Sequence, residues 1–377
     1  MQEKSPILNR PLRVMHIISG DLWAGAEAQA FTLLKHLHQS TSLAVVLMNE
    51  GELSRRLQDL QIPITIIPES HFNSLQILQR LIKVIHAFKP DVLHTHRQKE
   101  NILGNIANQL SAVPLKKRAY SVRTSHGSPE FKPMGKQKIQ MWLDTWIGKH
   151  LQQAVIAVSA DLAERLKAIF PAQKIHVVRN GVDSEALRAE ASITDFRLQA
   201  PQHIHIGIIG RLEPVKRIDI FIDMAILLLG DKALPKSFMF HIIGDGSLRR
   251  AMEKKVNELQ YHKQIVFHGH RNDIASCIYS LDAILMCSDH EGTPMVALEA
   301  LALGKPLIAH NVGGLREVLE DIPSLLVSPN TPSEYARKIL HLFTNGPINV
   351  NLNGKFTAAK NAELTASIYK SASQSSL

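Results

Sequence analysis

The sequence predicts an α/β protein built from two doubly wound parallel sheets, one in each half of the chain. Short apolar runs alternate with longer helical patterns along all 377 residues. The alternation restarts at His203–Ile209, a nearly continuous apolar run followed by Gly210, which is typical of the first strand of a second sheet. A hydrophobic content of 45% is sufficient for two cores. We therefore expect domains at 1–190 and 200–354.

Each predicted strand is a short apolar run that ends at polar or glycine residues. Those of the first domain are Val14–Ser19, Leu43–Met48, Ile64–Pro68, Asp91–His96, Ala119–Thr124, Ala154–Ser159 and His176–Arg179. Helical patterns between them include Ala26–His38, Leu75–Phe88 and Lys136–Leu151. Val182–Gln202 lacks a strong period and is predicted to be the connector between domains. The second set of strands is His203–Ile209, Phe238–Ile243, Ile265–His268, Asp282–Cys287, Pro306–Ala309 and Leu325–Val327. A helical segment, 355–373, follows.

Charge, cysteine content and hydropathy argue against nucleic-acid binding, against a disulfide-linked protein and against a membrane-spanning protein. The net charge of +9 could favour nucleic acid, an anionic membrane or an anionic small substrate, but the basic residues are dispersed and aromatic content is only 5%. We therefore expect no nucleic-acid partner. Cys277 and Cys287 lie in apolar stretches and are expected to be reduced core residues. No run approaches the ~18 apolar residues of a membrane span. Met1–Pro11 lacks the apolar region of a signal peptide. These features predict a cytoplasmic location, either free or peripheral on the inner face of the plasma membrane.

The segment Ser288–Glu299 is the most informative part of the chain. It lies where an apolar strand gives way to an apolar helix, and Pro294 is expected in the first helical turn, with Thr293 or Asp289 as the cap. The free backbone N–H groups of such a helix start can bind phosphate or sugar oxygens. Glu291 would stand in the loop and Glu299 inside the helix, where carboxylates can accept from sugar hydroxyls.

Other candidate residues also follow the ends of predicted strands, where ligands of open α/β sheets bind. Arg211 and Lys216 come directly after the first strand of the second sheet and could neutralise a diphosphate. Gly244-Asp245-Gly246 predicts a tight turn, with Asp245 as a possible helix cap. His268-Gly269-His270-Arg271 ends the next strand.

Two of these motifs carry a family resemblance. Glu291 and Glu299 within S-D-H-E-G-T-P-M-V-A-L-E, together with G-R-L-E-P-V-K at 210–216, resemble the family-4 (group 1) glycosyltransferases. The resemblance implies a GT-B fold of two Rossmann-like domains facing across a cleft, with the carboxy-terminal helix crossing back to the first domain. It also implies a retaining transferase in which Arg211 and Lys216 contact the nucleotide diphosphate. Glu291 is then expected to hold the donor sugar and Glu299 the ribose. The remaining donor-binding residues implied are Gly25, His270, Arg271, Gly292, Thr293, Met295 and Val296.

In the first domain, the loop Ser19–Glu27 is similar to the family's G-G-A-E loop, with Gly25 and Glu27 matching and Ala24 replacing the first glycine. His126 matches the family histidine beside the transferred sugar and is expected to be catalytic together with Glu291. Glu27, His96 and Arg97 are assigned to the acceptor side. His94 is expected to be a core histidine. A zinc site of His94, His96 and His126 is disfavoured, because no cysteine or carboxylate stands at ligand spacing.

A helix near 136–151 carries Trp142 and Trp146 beside Lys136, Lys138 and Lys149. This pattern suits either contact with an anionic membrane surface or a core-facing helix with a wet flank. The basic run Lys116-Lys117-Arg118 is compatible with the same contact or with simple solvation.

The resemblance implies transfer of a sugar from a nucleotide-diphosphate sugar to an acceptor hydroxyl of a glycan or lipid-linked glycan. A UDP-sugar is favoured over GDP-mannose, and synthesis of surface polysaccharide or lipopolysaccharide is the expected setting. The sequence contains no Asp-x-Asp pair, so neither a metal nor another cofactor is expected. A nucleotide-sugar epimerase, a phosphorylase and a non-catalytic sugar-nucleotide binder remain alternatives.

Overall fold

A computed structural model describes residues 10–374 except 22, 116–117, 128–134, 232–236 and 347. Lys116 and Lys117 therefore lie outside the described residues. The chain divides into two compact units, Met1–Gly181 with Ala358–Leu377, and Val182–Thr357. The predicted fold class, two Rossmann-like α/β sheets, is confirmed.

The first unit contains a seven-stranded sheet in the order β3-β2-β1-β4-β5-β6-β7, and all its pairings are parallel. Its strands are β1 (Arg13–Ile18), β2 (Ser42–Leu47), β3 (Ile64–Ile66), β4 (Val92–Thr95), β5 (Tyr120–Ser125), β6 (Ala154–Ala157) and β7 (Ile175–Val177). Its helices are α1 (Gly25–Leu37), α2 (Glu52–Asp59), α3 (Ser74–Phe88), α4 (Gln98–Leu115), α5 (Lys136–His150) and α6 (Ala160–Lys167). The strand order reverses between β1 and β4, so the loops after these strands border the ligand-binding crevice of such a sheet.

Local signals start several of these helices. Asn73 accepts from the backbone N–H of Gln76, whose side chain accepts in return from the backbone of Asn73, a complete capping box at α3. The Ser159 side chain caps α6 by a single hydrogen bond, which it accepts from the backbone N–H of Leu162.

The carboxy-terminal helix α15 (Ala358–Gln374) belongs to the first unit and packs on α1, which confirms the predicted return of this segment. Its Ile368 and Tyr369 join the core that surrounds Val14 and Ile18 of β1. Asn361 donates to the backbone carbonyl of Arg179. These contacts fix α15 against the strands that carry the first unit's candidate residues.

The second unit contains a six-stranded parallel sheet in the order β10-β9-β8-β11-β12-β13. Its strands are β8 (Ile204–Ile209), β9 (Phe238–Ile243), β10 (Ile265–Gly269), β11 (Ala283–Met286), β12 (Leu307–His310) and β13 (Leu326–Val327). Its helices are α7 (Ser184–Glu190), α8 (Asp195–Gln199), α9 (Ile218–Gly230), α10 (Arg249–Glu258), α11 (Ile274–Ser280), α12 (Met295–Ala302), α13 (Leu315–Val318) and α14 (Pro332–Thr344).

The segment expected to be a connector, Val182–Gln202, is instead part of the second unit and contains α7 and α8. Phe196 is buried in the core of this unit, and Arg197 forms an ion pair with Asp282. Helices of seven and five residues are too short to show a period in the sequence, which is why this segment lacked a signal. The unit boundary consequently lies at Gly181–Val182 rather than near 190–200.

Both cysteines are free and buried, and burial raises the pKa of the Cys277 thiol to about 12. Among the described residues, no helix combines the length and apolar character that crossing a bilayer requires.

Candidate functional site

In the second unit, the loops after β8 and β11 are joined through Glu291. Its Oε1 accepts a hydrogen bond of 2.6 Å from Lys216 Nζ and another of 2.6 Å from Ser288 Oγ. The Glu291 and Lys216 side chains are only 9% and 20% exposed, so little water screens the pair. Glu291 is thereby held in one orientation at the carboxyl end of the sheet.

Further contacts fix the same two loops to each other. The backbone N–H of Asp289 donates to the carbonyl of Val215 at 2.9 Å. Arg217 is in the left-handed region with φ 50° and contacts both Asp219 and Asp289 through its guanidinium. The loop after β8 and the loop after β11 therefore form one connected surface.

The loop after β12 supports this surface from a third side. A Cβ on Gly313 would lie 2.0 Å from the Glu291 carbonyl oxygen, and one on Gly314 would lie 1.8 Å from that of Gly292. Only glycine permits this close approach. Sequence reasoning missed both glycines, and also His310, whose Nδ1 donates to the Ser288 carbonyl at 2.8 Å. A Gly-Gly pair just after a predicted strand was the available signal.

Helix α12 begins one residue later than expected. Pro294 is the N-cap residue, with φ −71° and ψ 132°, and Met295 is the first helical residue. The prediction that Pro294 lies in the first turn is therefore wrong. Thr293 and Met295 are buried, whereas Gly292 and Val296 are partly exposed. Burial, aided by the nearby Glu190, raises the pKa of Glu299 to about 7.

Arg211 is exposed directly after β8, in a loop that packs tightly on its neighbour. A Cβ on Gly244 would lie 1.9 Å from the Gly210 carbonyl oxygen, so this position also requires glycine. Asp245 accepts from its neighbour Gly246 and from Arg249, while Leu248 is the N-cap residue of α10. The predicted capping role of Asp245 is therefore wrong.

His270 and Arg271 follow β10 at the same end of this sheet. His270 is exposed, and its Nε2 lies 3.2 Å from Asn272 Oδ1. The Arg271 guanidinium is committed to Asp273 and lies 3.7 Å from Asp195. Its side chain is thus directed by two carboxylates.

In the first unit, Arg97 joins the loop after β4 to the first turn of α1 and to the loop after β1. Arg97 forms ion pairs with the fully buried Glu27 and with Asp21. Burial raises the pKa of Glu27, and the positive charge of Arg97 opposes that shift. Gly25 is the first residue of α1, and Ala24 before it has φ −133°, a conformation that alanine adopts without strain. The replacement of the family's first glycine by Ala24 is therefore accommodated.

Four histidines of the first unit are joined in one hydrogen-bonded series. His126 Nε2 lies 3.3 Å from His96 Nδ1, and His96 Nε2 lies 3.0 Å from His16 Nδ1. Tyr369 Oη is within hydrogen-bond distance of both His16 Nε2, at 3.2 Å, and His94 Nδ1. His94 Nε2 lies 2.8 Å from Thr124 Oγ1, so His94 is a satisfied core histidine as predicted. Sequence reasoning missed His16 and Tyr369.

Burial keeps these histidines neutral. It lowers the pKa of His16 to about 3 and that of His126 to about 4, where Arg97 and Arg123 add to the effect. The pKa values of His94 and His96 also lie well below the ordinary value, with burial as the largest cause.

Ring nitrogens of His16, His94 and His96 lie within 4.8 Å of one another, a spacing that could hold a metal ion. The His94 and His96 rings are stacked, however, with planes 10° apart and centroids separated by 4.6 Å. Because a nitrogen lone pair lies in the plane of its ring, stacked rings cannot both direct lone pairs at one ion. Hydrogen bonding is the better account of this cluster.

Helix α5 presents an apolar surface to solvent. Ile139 and Trp142 are 67% and 66% exposed, and Trp146 is 42% exposed. Lys138 and Lys149 are exposed on the same helix. The alternative in which both tryptophans face a core is therefore wrong. The side chain of Lys136 lies outside the described residues.

Comparison with known proteins identifies the class to which these sheets and loops belong. Residues 23–186 match the family described as Glycosyltransferase Family 4, and residues 203–345 match the family described as Glycosyl transferases group 1. The chain belongs to this glycosyltransferase family, which confirms the resemblance found in the sequence.

Individual relatives agree with this assignment. The chain is 24% identical over 356 residues to UDP-Gal:alpha-D-GlcNAc-diphosphoundecaprenol alpha-1,3-galactosyltransferase of Escherichia coli, covering 90% of each chain. It is 28% identical over 280 residues to 2-deoxystreptamine glucosyltransferase of Streptomyces kanamyceticus, covering 70% of each. The crystal structure of Anabaena Alr3699/HepE in complex with UDP-glucose superimposes with a TM-score of 0.75 at 21% identity, covering 97% of this chain and 98% of that one. At that identity the superposition shows the GT-B fold alone.

Proposed function

We propose that this protein transfers a sugar, with retention of anomeric configuration, from a nucleotide-diphosphate sugar to an acceptor hydroxyl. The observation that carries the proposal is the contact of Glu291 with Lys216 and Ser288, beside the start of α12. It brings a carboxylate suited to sugar hydroxyls next to a cation suited to phosphate. Both lie at the carboxyl end of a sheet, where ligands of doubly wound folds bind.

A UDP-sugar is the favoured donor, with GDP-mannose as the alternative. The E. coli relative is a UDP-Gal-dependent transferase, and the Anabaena relative was crystallised with UDP-glucose. The same E. coli enzyme acts on a diphosphoundecaprenol-linked sugar. A glycan or lipid-linked glycan is accordingly the favoured acceptor, in the synthesis of surface polysaccharide or lipopolysaccharide.

Charge neutralisation in the proposed reaction falls to the protein's own groups. Arg211, Lys216 and the backbone N–H groups at the start of α12 would bind the diphosphate, which the helix dipole also favours. As the bond between the anomeric carbon and the phosphate oxygen breaks, the acceptor oxygen bonds to the same face of that carbon. The acceptor's proton passes to the leaving phosphate. No metal ion is required in this scheme.

The family resemblance assigns further roles to individual residues. Glu291 would accept from the donor sugar's hydroxyls and stabilise positive charge at the anomeric carbon, while Glu299 would bind the ribose. His126 would contact the transferred sugar, and Glu27, His96 and Arg97 would shape the acceptor side. Backbone groups near His270 and Arg271 would contact the base.

A panel of UDP- and GDP-sugars, scored by protection against thermal unfolding and by nucleotide release with acceptor, tests the proposal. Ligand at 100 times its Kd is expected to stabilise the fold by about 2.7 kcal/mol. Glu291→Gln, which keeps the shape but removes the charge, should abolish most turnover. A protein that binds the nucleotide sugar yet releases no nucleotide with any acceptor would be a non-catalytic binder, contrary to the proposal.

A further inference from the structure

Hydrogen bonds join six side chains of the first unit end to end, in the order Thr124–His94–Tyr369–His16–His96–His126. This series is here termed the histidine file. All members except His126 are buried, and five successive contacts connect them. Tyr369 lies on the carboxy-terminal helix, whereas the others lie on or directly after β1, β4 and β5. The file thus links α15 to the residue assigned to the transferred sugar.

Each neutral imidazole carries one N–H and one lone pair. If His126 Nε2 donates to His96 Nδ1, then His96 must donate through its own Nε2, and so must His16. Tyr369 accepts from His16 and donates to His94 Nδ1, which leaves His94 with its proton on Nε2. Reversing the direction moves every proton to Nδ1. The four histidines must therefore share one tautomer.

A mixed arrangement would leave a buried polar group unpaired. If His94 and His16 both donated to Tyr369, the hydroxyl proton would have no partner within the file. An unsatisfied buried donor costs about 1–3 kcal/mol. The shared tautomer is consequently the stable state.

Both directions are open to this file, because its far end is the Thr124 hydroxyl, which can donate or accept. A second series in the other unit lacks this freedom. There His205 Nε2 lies 2.8 Å from the Ala200 carbonyl, which can only accept, while His205 contacts His241 and His241 contacts His268 at 2.9 Å. The hydrogen bonds of that series can therefore run in one direction only, with His205 donating to the Ala200 carbonyl.

We propose that Tyr369 is a positioning residue for His126, which it reaches through His16 and His96. The inference rests on the proposed function only in assigning His126 to the sugar side. Because His126 Nε2 is engaged within the file, Nδ1 is the nitrogen left for a ligand. A sugar hydroxyl that donates to Nδ1 stabilises the all-Nε2–H state, and one that accepts stabilises the all-Nδ1–H state. The file thereby stabilises one protonation pattern at His126 for each ligand.

Nitrogen-15 NMR of the full chain labelled in histidine tests the file directly. In the wild type, His16, His94, His96 and His126 are expected to be neutral and to show the same tautomer. Tyr369→Phe removes the hydroxyl that connects His94 to His16, so His94 should depart from the pattern of the other three. Four wild-type histidines with differing tautomers would overturn the proposal.

A second variant keeps the test decisive if Tyr369→Phe fails to fold. Thr124→Val should place the proton of His16 and of His96 on Nδ1, because an Nε2–H of His94 would then lack an acceptor. Thr95→Val, an equally buried threonine of β4 outside the file, is the matched control. An Nε2–H tautomer of His16 or His96 in the Thr124→Val protein would refute the file, whereas Thr95→Val should leave the wild-type tautomers unchanged.

Kinetics give an independent measurement. Tyr369→Phe is expected to lower kcat about tenfold, as the loss of a positioned group commonly does, while the KM for donor changes less than about twofold.

Tyr335→Phe, which removes a fully buried hydroxyl from the second unit, is the control for the NMR measurement and should leave the histidine signals unchanged. If no donor supports turnover, the proposed function fails while the NMR result still decides the file. An unaltered kcat of the Tyr369→Phe enzyme would contradict the proposal that Tyr369 positions His126.

Discussion

Lys216 Nζ lies 2.6 Å from Glu291 Oε1 and joins two loops that are 75 residues apart in the chain. The partners come from different strand ends, and each was assigned a different part of the donor. Because an ammonium group has three N–H donors, a diphosphate bound by Lys216 would share that group with Glu291. Donor binding and the orientation of the sugar-binding carboxylate are therefore coupled in the proposed reaction.

Replacing Lys216 by methionine should weaken donor binding, because it removes a phosphate cation and leaves the Glu291 charge largely buried without its partner. We expect the Kd for the nucleotide to rise about tenfold or more, the equivalent of about 1.4 kcal/mol, measured by calorimetry. Lys254→Met, at a position 76% exposed, is the control and should bind as the wild type does. Unaltered affinity of Lys216→Met would contradict the assignment.

Gly314→Ala should disturb the loop that contains Glu291, since the new Cβ would lie 1.8 Å from the Gly292 carbonyl oxygen. Backbone atoms cannot yield as a side chain can, so we expect nucleotide affinity to fall at least about tenfold. Gly230→Ala introduces the same methyl group at the end of α9, where no atom of the described residues outside its own helix lies within 4 Å, and should bind normally. Equal affinity of the two variants would show that this close approach is unimportant.

Turnover should persist in excess EDTA, because the proposed diphosphate site consists of Arg211, Lys216 and backbone N–H groups. The assay follows nucleotide release in dialysed protein with and without chelator. Activity that disappears with EDTA and returns with manganese would refute this part of the mechanism.

Mild acid should destabilise the fold. The histidines of both series have folded pKa values below the unfolded value of 6.5, about 3 for His16 and about 2 for His241. The unfolded chain therefore binds more protons below pH 6.5, and the stabilisation present above that pH is lost as pH falls. Each ring contributes up to about 2 kcal/mol of loss at pH 5.

Glu100 and Glu299, with folded pKa values raised to about 7, act in the opposite direction between pH 4.5 and 7. Glu27, whose pKa burial also raises, acts in the same direction as these two, but the three carboxyl groups are fewer than the histidines. We therefore expect the melting temperature to fall between pH 7 and pH 5. Exposed His262 offers a control, because His262→Asn should show the same loss as the wild type. A melting temperature independent of pH over this range would exclude the predicted linkage.

Contact of α5 with an anionic membrane surface remains a proposal supported by its exposed tryptophans and lysines. Replacing Lys116, Lys117, Arg118, Lys136, Lys138 and Lys149 should abolish sedimentation with anionic liposomes, since each basic residue near such a surface contributes about 1 kcal/mol. Lysines of the second unit, replaced in equal number, provide the control. If the protein still sediments with liposomes after the first set of substitutions, the proposed membrane contact is wrong.

Much of the architecture was predictable, because the period of apolar residues is a local property that survives in a single sequence. The alternation of strands and helices indicated both sheets, and the restart at His203 marked the second one. Helices α7 and α8 were not predicted, because they are too short to show a helical period in the sequence. Phe196 became recognisable as a core residue only once its place in the second unit was known.

The candidate site divides along the same line. Glu291, Lys216 and Arg211 could be chosen from residue type and from their positions at strand ends, and His126 from its match to the family. The 2.6 Å contact of Lys216 with Glu291, and the approach of Gly314 to Gly292, could not. Positions along the chain predict which residues lie near a strand end. They do not predict which side-chain atoms come into contact there.

The sequence by itself determined the fold class, the family and the residue types at the strand ends. Tertiary structure alone decided that Tyr369 meets His16, a residue 353 positions earlier, and that four histidines become one series. The physical reason is that periodicity and turn chemistry act over a few residues. Hydrogen bonds between distant segments depend instead on how α15 packs against β1, β4 and β5.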